Sequence, residues 1–566
     1  MRAAIDRLWI LGLTIALLFC MFVAGTGADP VAPGMQRPLA IPFRVSGSFG
    51  EYRPASRFHH GVDVKTYEQN GIPVYAPLDG YVSKIHTSEY GYGNGLFVRS
   101  GEYEFTFGHL NDFRGVRPDL ELYRLSLRIL QPDHIAAVVV PPWFRFNKGE
   151  QIARTGESGL GSPHLHFEVR QNGIYMNPLA FPGIAIKDTT QPEIIDVIVE
   201  TPDARYQIPA RKEGAGYVLT SDLPVQKQRL LIGCFDTQSA LNRNGVATLK
   251  YEWNGKTIYE RNTDTIRPED LLASDRLYHA GLTVIGKVYY YYLYDMTTAG
   301  SYNGEAGTGS ILLGDVSGNQ VKLQFNVKPE ASIEKFRMPG NVPLNPAARG
   351  AVARASFGSA SIAVAFVGTG SGGVAPSSIP EGSLKPGLTA AGPAFYVTQR
   401  DMILNEPMRL SYTMPPANVS LYVIHPITKG VSLLGPGRVI GGRTVFDIMF
   451  RGEGWVIPLN DGIPPRVERV LLFGDLRGDA RQDRDPDTGE WFREYYFSDS
   501  GSGIRPETIQ VLFNGNPVPF VWKADRSVAA VSIPDELIPA EGAILSLRAE
   551  DMQGNRSDWM LDTVVK

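Results

Sequence analysis

Histidines are concentrated in one part of the chain. Seven of the nine lie between positions 59 and 166. Five of these fall in three short patterns: His59-His60-Gly61-Val62-Asp63, Phe107-Gly108-His109-Leu110 and His164-Leu165-His166-Phe167-Glu168. Imidazoles grouped with carboxylates are typical of sites that bind transition metals or transfer protons near neutral pH. Taken alone, each pattern also fits an ordinary structural or surface histidine.

The third pattern, read as a strand, presents two imidazoles side by side. Side chains alternate along a strand, so His164 and His166 project from one face while Leu165 and Phe167 face the other. One imidazole can then bind a metal while its neighbour acts on a water molecule. Glu168 shares the face of His166, where it either forms a hydrogen bond near the metal or stays solvated.

The first pattern supplies two further ligands from a single segment. His59 offers a nitrogen and Asp63 an oxygen, and Gly61 permits a tight backbone path between them. Two histidines and one carboxylate suit zinc, and three protein ligands leave a fourth position open for water. Bound zinc lowers the pKa of that water to about 7 and polarises a carbonyl group.

The elements that must position these residues read as short strands and Gly-rich turns, from Ile41 to about Phe181. An insertion at 111–147 interrupts this pattern. Within the insertion, residues 118–128 are predicted to form a helix, and an apolar run at 135–140 follows.

This part of the chain resembles the M23 peptidases, the lysostaphin/LytM group. The resemblance covers about a quarter of the chain, and the order of the motifs agrees throughout. The matching stretches are 48–54, His59-His60-Gly61-Val62-Asp63, 74–77 with 79–80, Phe107-Gly108-His109-Leu110, 149–153, Gly156, Gly159, 162–168 and Asn177-Pro178. The insertion resembles the extended subgroup in which β-sandwich domains follow the peptidase.

The resemblance implies a role for each residue of the patterns. It implies that His59, Asp63 and His166 bind Zn2+, and that His109 and His164 are the catalytic pair. Tyr52 matches either the family tyrosine that steadies the reaction intermediate or an ordinary aromatic residue at the rim. His60, His86 and His134 match no role and are read as structural or exposed.

The function implied is that of a zinc metallo-endopeptidase that hydrolyses peptide cross-links of bacterial peptidoglycan. A non-enzymatic cell-wall-binding regulator or adhesion protein with a LytM-like domain is the alternative, since some relatives have lost their metal ligands. All five metal-binding and catalytic residues are intact here, which favours the enzyme. A third interpretation makes the C-terminal domains the main functional part, as adhesion or partner modules.

The rest of the chain shows a repeated pattern. Asp188-Thr189-Thr190-Gln191-Pro192 and Asp461-Gly462-Ile463-Pro464-Pro465 each open a run of strands, and Asp315-Val316-Ser317-Gly318-Asn319 and Asp551-Met552-Gln553-Gly554-Asn555 close them. We therefore predict a mainly β chain. Its parts are a peptidase domain at 29–186, expected to fold alone, an immunoglobulin-like β-sandwich at 187–328, a flexible linker at 329–393, a β domain at 394–460 and a second immunoglobulin-like β-sandwich at 461–566.

The N-terminus predicts export. Arg2 and Arg7 precede an apolar run, and small residues follow, so 1–28 reads as a signal peptide. An uncleaved membrane anchor is the alternative. Export predicts a location in the periplasm or cell envelope. After cleavage Cys234 is the sole cysteine, expected to be a buried thiol, and a net charge of −4 gives no indication of a nucleic-acid partner.

Overall fold

The computed structural model describes residues 34–565, except 89–90, 114–117, 131–135, 141, 143, 160, 239–240, 296–304, 339–344, 347–351, 367, 405–406, 471–490 and 525. The predicted signal peptide at 1–28 and His134 lie outside these residues. Within the described part, no helix combines the length and the apolar character that a membrane span requires. The described strands form four β units: unit 1 (34–186), unit 2 (187–338), unit 3 (345–461) and unit 4 (462–565).

Unit 1 contains the predicted site. Its elements are α1 (Pro118–Leu130) and β1 (Val45–Gly47), β2 (Tyr52–Arg53), β3 (Arg57–Phe58), β4 (Val62–Lys65), β5 (Pro73–Tyr75), β6 (Gly80–Thr87), β7 (Asn94–Ser100), β8 (Tyr103–Leu110), β9 (Ala136–Val139), β10 (Arg145–Phe146), β11 (Gln151–Arg154), β12 (His164–Gln171) and β13 (Ile174–Met176). The main sheet has the order β1-β4-β12-β8-β7-β6-β10, with β13 beside β12 and β9 beside β6.

The centre of this sheet is β12, which pairs with β4 on one side and with β8 on the other. Leu165, Phe167 and Val169 are completely buried on its apolar face. Apolar side chains at every second position anchor the strand, since burying each one stabilises the fold by roughly 1.5–3 kcal/mol. The opposite face is thereby fixed as the face that carries His164 and His166.

The insertion at 111–147 is folded onto the same sheet. The helix predicted at 118–128 is present as α1, and β9 extends the sheet by pairing with β6. Leu120 is buried, and the neighbouring ion pair between Glu121 and Arg124 is nearly enclosed. The insertion therefore adds a helix and two short strands, β9 and β10, at the edge of the sheet that is remote from β4.

Unit 2 shares its core with unit 1. Its strands are β14 (Glu193–Glu200), β15 (Arg205–Glu213), β16 (Gly216–Leu219), β17 (Leu223–Pro224), β18 (Arg229–Phe235), β19 (Thr248–Trp253), β20 (Lys256–Asn262), β21 (Thr265–Ile266), β22 (Tyr289–Tyr292), β23 (Gly307–Gly314) and β24 (Gln320–Lys328). β21 leaves its own unit and pairs with β13 of unit 1. The buried side chains of the two units form one continuous hydrophobic cluster, which contains Cys234 as the predicted buried thiol. The shared core argues against independent folding of 29–186, which stays a prediction.

Unit 3 corrects the prediction of a flexible linker at 329–393. Its strands are β25 (Asn345–Pro346), β26 (Val352–Phe357), β27 (Ala360–Ala365), β28 (Gly368–Pro376), β29 (Leu388–Ala390), β30 (Phe395–Leu404), β31 (Met408–Met414), β32 (Ser420–Ile424), β33 (Val431–Pro436), β34 (Arg438–Ile440), β35 (Arg443–Phe450) and β36 (Gly454–Asp461). The first five lie largely within the supposed linker. Ala353, Ile362 and Val364 are buried there, so the small residues alternate with exposed positions as strand residues do.

Unit 4 pairs two four-stranded sheets. Its strands are β37 (Arg466–Arg469), β38 (Trp491–Ser498), β39 (Ile504–Phe513), β40 (Asn516–Pro517), β41 (Val521–Lys523), β42 (Val528–Ile533), β43 (Ala543–Asp551) and β44 (Met560–Val564). The sheet orders are β37-β38-β42-β41 and β40-β39-β43-β44. Trp491, Tyr495 and Leu547 lie in the core of this unit. The prediction of a mainly β chain with stacked sheets is confirmed.

Candidate metal centre and active site

Three neighbouring strands bring the five predicted residues together. Asp63 lies on β4, His164 and His166 on β12, and His109 at the end of β8. The register places His166 opposite Asp63 on one side and opposite Gly108 on the other. His59 follows β3 and precedes β4.

The close approach of the chain to β12 explains the glycine in the first pattern. A Cβ atom at Gly61 would lie 2.7 Å from the carbonyl oxygen of Phe167 and 2.9 Å from Cε1 of His166. Any larger residue would push the segment that carries His59 and Asp63 away from His166.

His59, Asp63 and His166 direct one atom each to a common point. Asp63 Oδ1 lies 2.9 Å from His166 Nδ1 and 3.2 Å from His59 Nε2, and the two nitrogens are 3.2 Å apart. Three donors held about 2.0 Å from one ion in tetrahedral geometry lie roughly 3.3 Å apart. The spacing and the chemistry of this donor set therefore fit a single tetrahedral metal ion.

The remaining polar atom of each of these residues is held by a partner. His59 donates Nδ1–H to the carbonyl oxygen of Ser48 at 2.8 Å, and His166 Nε2 lies 3.0 Å from Glu168 Oε1. Arg53 donates to Asp63 Oδ2 at 2.7 Å. These contacts leave His59 Nε2, Asp63 Oδ1 and His166 Nδ1 free to bind a metal, an arrangement typical of protein metal sites.

The other two histidines lie next to each other beside this donor set. The ring centroids of His109 and His164 are 4.3 Å apart. His109 donates Nδ1–H to the carbonyl oxygen of Ser158 at 2.9 Å, and His164 does the same to Ser162 at 2.7 Å. Each ring is therefore left with an Nε2 lone pair, and that of His164 is 3.6 Å from Asp63 Oδ1.

His109 adopts an unusual backbone conformation. Its φ is 60°, in the left-handed region that is uncommon for residues other than glycine, although asparagine, aspartate and histidine adopt it more often than other residues do. The hydrogen bond from its backbone N–H to the carbonyl oxygen of Tyr92, at 2.7 Å, and the bond to Ser158 hold it there. Strain of this kind is often found at functional sites.

Burial controls the protonation of the histidines. It lowers the pKa of His59 to about 3, with the charge of Arg53 acting in the same direction. Burial also lowers the pKa of His109 to about 3, with help from His164 and His166. Both rings are therefore neutral, as a metal ligand and a proton acceptor must be.

His166 differs because two carboxylates face it. Burial favours the neutral ring, but hydrogen bonds to Asp63 and Glu168 outweigh it and raise the pKa of His166 to about 9. Burial alone would raise the pKa of Asp63, yet His59, Arg53 and His166 hold it well below its usual range. A cation placed between His166 and Asp63 would take the place of the proton that they share in its absence.

Two further residues complete the site, one whose role the sequence left open and one that it did not reveal. Glu168 is fully buried and is a hydrogen-bond partner, not a solvated carboxylate. Tyr92 donates to Glu168 Oε1 at 2.5 Å and lies 2.8 Å from His60 Nε2. His60, His166 and Glu168 also form a group that could hold a metal ion, so the interpretation of His60 as structural or exposed stays a prediction. The spacing of Glu168 from His166 signalled its position, whereas no sequence pattern pointed to Tyr92.

The Glu51–Arg53–Asp63 chain is another feature that the sequence did not reveal. Arg53 bridges Glu51 Oε1, at 2.8 Å, and Asp63 Oδ2. Glu51 in turn accepts from the hydroxyl of Tyr289 in unit 2 at 3.2 Å. Tyr52, between Glu51 and Arg53, is also buried against unit 2, with its ring 5.8 Å from that of Tyr278. A role for Tyr52 in steadying the intermediate stays a prediction.

Unit 4 contacts the loop that supports the two outer histidines. Glu157, next to Ser158, forms ion pairs with Lys523 and Arg526, and both cations also pair with Glu494. A cavity of about 470 Å³ lies at this junction, lined by Glu68, Gly161, Ser162, Tyr496, Arg526 and Val528 among others. One side of the space beside His164 is therefore formed by the C-terminal unit.

The similarities to known proteins described next each cover only part of the chain. No protein-family model matches the chain. An uncharacterized metalloprotease of Haemophilus influenzae is 32% identical over 149 residues, which are 25% of this chain and 26% of that protein. The chain thus spans about a quarter of the length of this curated relative.

Solved structures of M23 type are also similar. The catalytic domain of the prophage-encoded M23 protein EnpA from Enterococcus faecalis is 20% identical, covers 24% of this chain and 88% of its own, and has a TM-score of 0.18. Helicobacter pylori Csd3 is 24% identical over 27% of this chain and 35% of its own, with a TM-score of 0.19. Lysostaphin from Staphylococcus simulans is 15% identical over 37% of this chain and 90% of its own, with a TM-score of 0.21.

Unit 1 thus carries motifs and a site geometry that resemble those of the M23 peptidases, and the chain is similar over a quarter of its length to an uncharacterized metalloprotease. His59, Asp63 and His166 form a group that could hold a metal ion.

Proposed function

We propose that this chain is a zinc-dependent metallo-endopeptidase that hydrolyses peptide cross-links of bacterial peptidoglycan. One observation carries the proposal: three metal-binding atoms, from His59, Asp63 and His166, converge beside two further imidazoles that each have a free Nε2. A structural metal site has its coordination filled by protein ligands, whereas three ligands leave a position open to solvent and substrate. Two histidines and one carboxylate favour zinc over calcium or magnesium, which prefer oxygen ligands only.

The zinc, when bound, would supply a Lewis acid that polarises the scissile carbonyl and acidifies water. His109 and His164 act as proton acceptors at Nε2, because Nδ1 of each ring is committed to a backbone carbonyl. A ring that has accepted a proton can donate it to the leaving amine or hold a hydrogen bond to the developing oxyanion. The Ser158 and Ser162 carbonyls fix the orientation of both rings throughout.

We propose the substrate class from the expected location of the protein and the shape of the site. We place the protein in the periplasm or cell envelope because 1–28 has the order of an export signal. The site lies on a sheet face bordered by unit 4, which suits an extended peptide lying along β12 and β8. We extend peptidase activity to this chain on the motifs of unit 1 and on its similarity to an uncharacterized metalloprotease.

Digestion of purified peptidoglycan tests the proposal. The protein without 1–28 is incubated with sacculi, and released fragments are identified by mass spectrometry together with newly exposed amino groups. We expect new peptide ends within cross-links, loss of activity on chelation and recovery with zinc. Intact cross-links after prolonged incubation, with the protein bound to the sacculi, would instead support the regulator.

A further inference from the structure

Units 2 and 4 carry the same group of three aspartates outside the peptidase site. Asp188, Asp236 and Asp315 meet in unit 2, and Asp461, Asp499 and Asp551 meet at the start of unit 4, with one oxygen of each within 4.8 Å of the others in its group. We call these groups the first and second aspartate triads.

The three aspartates of each triad occupy equivalent positions relative to the strands of their unit. The first aspartate lies five residues before the opening strand, β14 or β37. The second follows directly after a central strand: Asp236 after β18 and Asp499 after β38. The third lies at the end of β23 or β43. Two units that differ in sequence thus gather carboxylates from equivalent positions.

The hydrogen bonds around the triads are also equivalent. In unit 2 the Asn319 side chain donates to Asp315 Oδ2 at 2.7 Å and to the carbonyl oxygen of Asp188 at 3.1 Å. In unit 4 the Asn555 side chain donates to Asp551 Oδ2 at 2.6 Å and to the carbonyl oxygen of Asp461 at 2.8 Å. These asparagines hold the outer aspartates in place, but they supply no positive charge.

The first triad contains buried oxygens that lack a close hydrogen-bond partner. Asp236 is 1% exposed, and no described residue makes a close hydrogen bond to either of its carboxylate oxygens, although the Thr237 N–H and the Gln238 side chain lie near enough to oppose the rise of its pKa. Asp188 Oδ2 also has no hydrogen-bond partner among the described residues. Burial and the negative charges of Asp315 and Asp188 raise the pKa of Asp236 to about 8. A buried carboxylate facing two others is costly unless a cation compensates it.

A neutral side chain independently points to a ligand at this place. Gln238 is 3% exposed and lies beside Asp236, yet its Oε1 has no hydrogen-bond partner among the described residues. In the second triad, Asp499 Oδ1 and the fully buried Ser502 Oγ are without partners in the same sense. Each triad is therefore accompanied by a neutral residue with a buried, unpartnered oxygen: Gln238 beside Asp236, and Ser502, whose backbone N–H donates to Asp461 Oδ2.

We propose that each aspartate triad binds one divalent cation of the calcium class, with Gln238 as a further oxygen ligand in the first. The donors are all oxygen, which hard cations such as Ca2+ prefer, whereas the peptidase site offers two nitrogens. Calcium is favoured over magnesium because it accepts six to eight oxygens in irregular geometry, including bidentate carboxylates.

The positions of the triads indicate what the cations do. Asp188 lies on the connection from unit 1 to β14, and Asp461 ends β36 of unit 3 just before unit 4 begins. Each cation would therefore link the segment that leads into a unit, through the first aspartate, to the two aspartates that lie within that unit. The second site would hold unit 4, whose Lys523 and Arg526 pair with Glu157 beside the peptidase site.

Direct measurement of calcium binding tests this inference. The full chain, freed of calcium, is titrated with CaCl2 by calorimetry, with MgCl2 in parallel, and its thermal unfolding is followed with and without calcium. We expect two calcium ions to bind per chain, and we expect calcium to raise the midpoint temperature of thermal unfolding by several degrees. Asp236→Asn and Asp499→Asn should each bind one ion, and the double variant none.

The matched control is Asp222→Asn, a half-buried aspartate of unit 2 that lies outside both triads and pairs with Lys328. It should retain both calcium ions. Absence of saturable binding by the unaltered chain below about 10 mM calcium, beyond the range of weak extracellular sites, would overturn the inference even if a variant fails to fold. So would two ions in Asp236→Asn. Because binding is read directly, the result does not depend on peptidase activity.

Discussion

His166 Nε2 lies 3.0 Å from Glu168 Oε1, two residues further along the same face of β12. Glu168 is also contacted by Tyr92, His60 and Arg170, so the carboxylate cannot turn away. Because a carboxylate can only accept, the proton of the neutral His166 ring lies on Nε2 and the lone pair on Nδ1. The metal-binding atom of His166 is therefore selected by a residue that does not itself face the metal.

Glu168→Gln should weaken metal binding. An amide in place of the carboxylate makes the His166 ring less basic and no longer holds the ring in one orientation. We therefore expect the affinity for zinc to fall about 10–100-fold. Competition with a chromophoric chelator measures this. Glu104→Gln, which alters another Arg170 partner on the neighbouring strand β8, is the matched control and should leave the affinity unchanged. Equal affinities for the two variants would show that Glu168 does not position His166.

Glu157→Gln should loosen unit 4 from the peptidase unit. The substitution removes the negative charge that pairs with Lys523 and Arg526, leaving both to Glu494 alone. For a half-buried network we expect a loss of about 1–2 kcal/mol at this interface. Hydrogen exchange in β41 and β42 should speed up, while β12 stays protected.

An exposed glutamate provides the comparison for this substitution. Glu213→Gln breaks a solvent-exposed ion pair with Arg211 and should leave hydrogen exchange in β41 and β42 unchanged. Unchanged exchange in β41 and β42 of the Glu157 variant would mean that the ion pairs do not hold the unit in place.

Asp196→Asn should stabilise the protein at pH 8 but not at pH 4. Burial raises the pKa of Asp196 to about 6, although Gln207 and Tyr290 donate hydrogen bonds to it. Since the folded pKa exceeds the unfolded one, the contribution to stability is full below about pH 4 and is lost as the pH rises through 6. Because the asparagine carries no buried charge, the variant should have a free energy of unfolding about 1–3 kcal/mol higher than that of the unaltered chain above pH 7.

Thermal or urea unfolding of both proteins across this pH range measures the difference. Asp203→Asn, on the loop after β14, serves as the control and should show no such pH-dependent gain. A constant difference between Asp196→Asn and the unaltered chain at pH 4 and pH 8 would contradict the assignment of this shift to Asp196.

Short motifs allowed the five site residues to be predicted from sequence. His164 and His166 share a strand face by alternation alone, and His59 and Asp63 are close in sequence. Sequence spacing alone does not bring these two pairs together, because their contact depends on the register between strands. The resemblance to the family implied that contact. Arg53 lies within a matching stretch of sequence. Its ion pairs with Glu51 and Asp63 could not be predicted, because they depend on how the segment of β2 packs against β4.

Composition misled the prediction where strands use small residues. The supposed linker contains β25 to β29, and in β27 alanine and serine alternate with isoleucine and valine. Counting residue types concealed that alternation. The outer aspartates of each triad were visible as a repeat, whereas Asp236 and Asp499 were not, because the residues around them share no pattern.

The central claim divides the five residues into three that hold the metal and two that act on the substrate. Zinc content and peptidoglycan cleavage should therefore be measured on the same preparations of the unaltered chain, His166→Ala and His109→Asn. Asparagine is chosen at position 109 because it tolerates the left-handed backbone found there. We expect His166→Ala to lose both zinc and cleavage. His109→Asn should keep one zinc per chain while its rate falls about 10²–10⁴-fold, the usual contribution of a general acid–base group. Full zinc content in His166→Ala, or an undiminished rate in His109→Asn, would contradict the account.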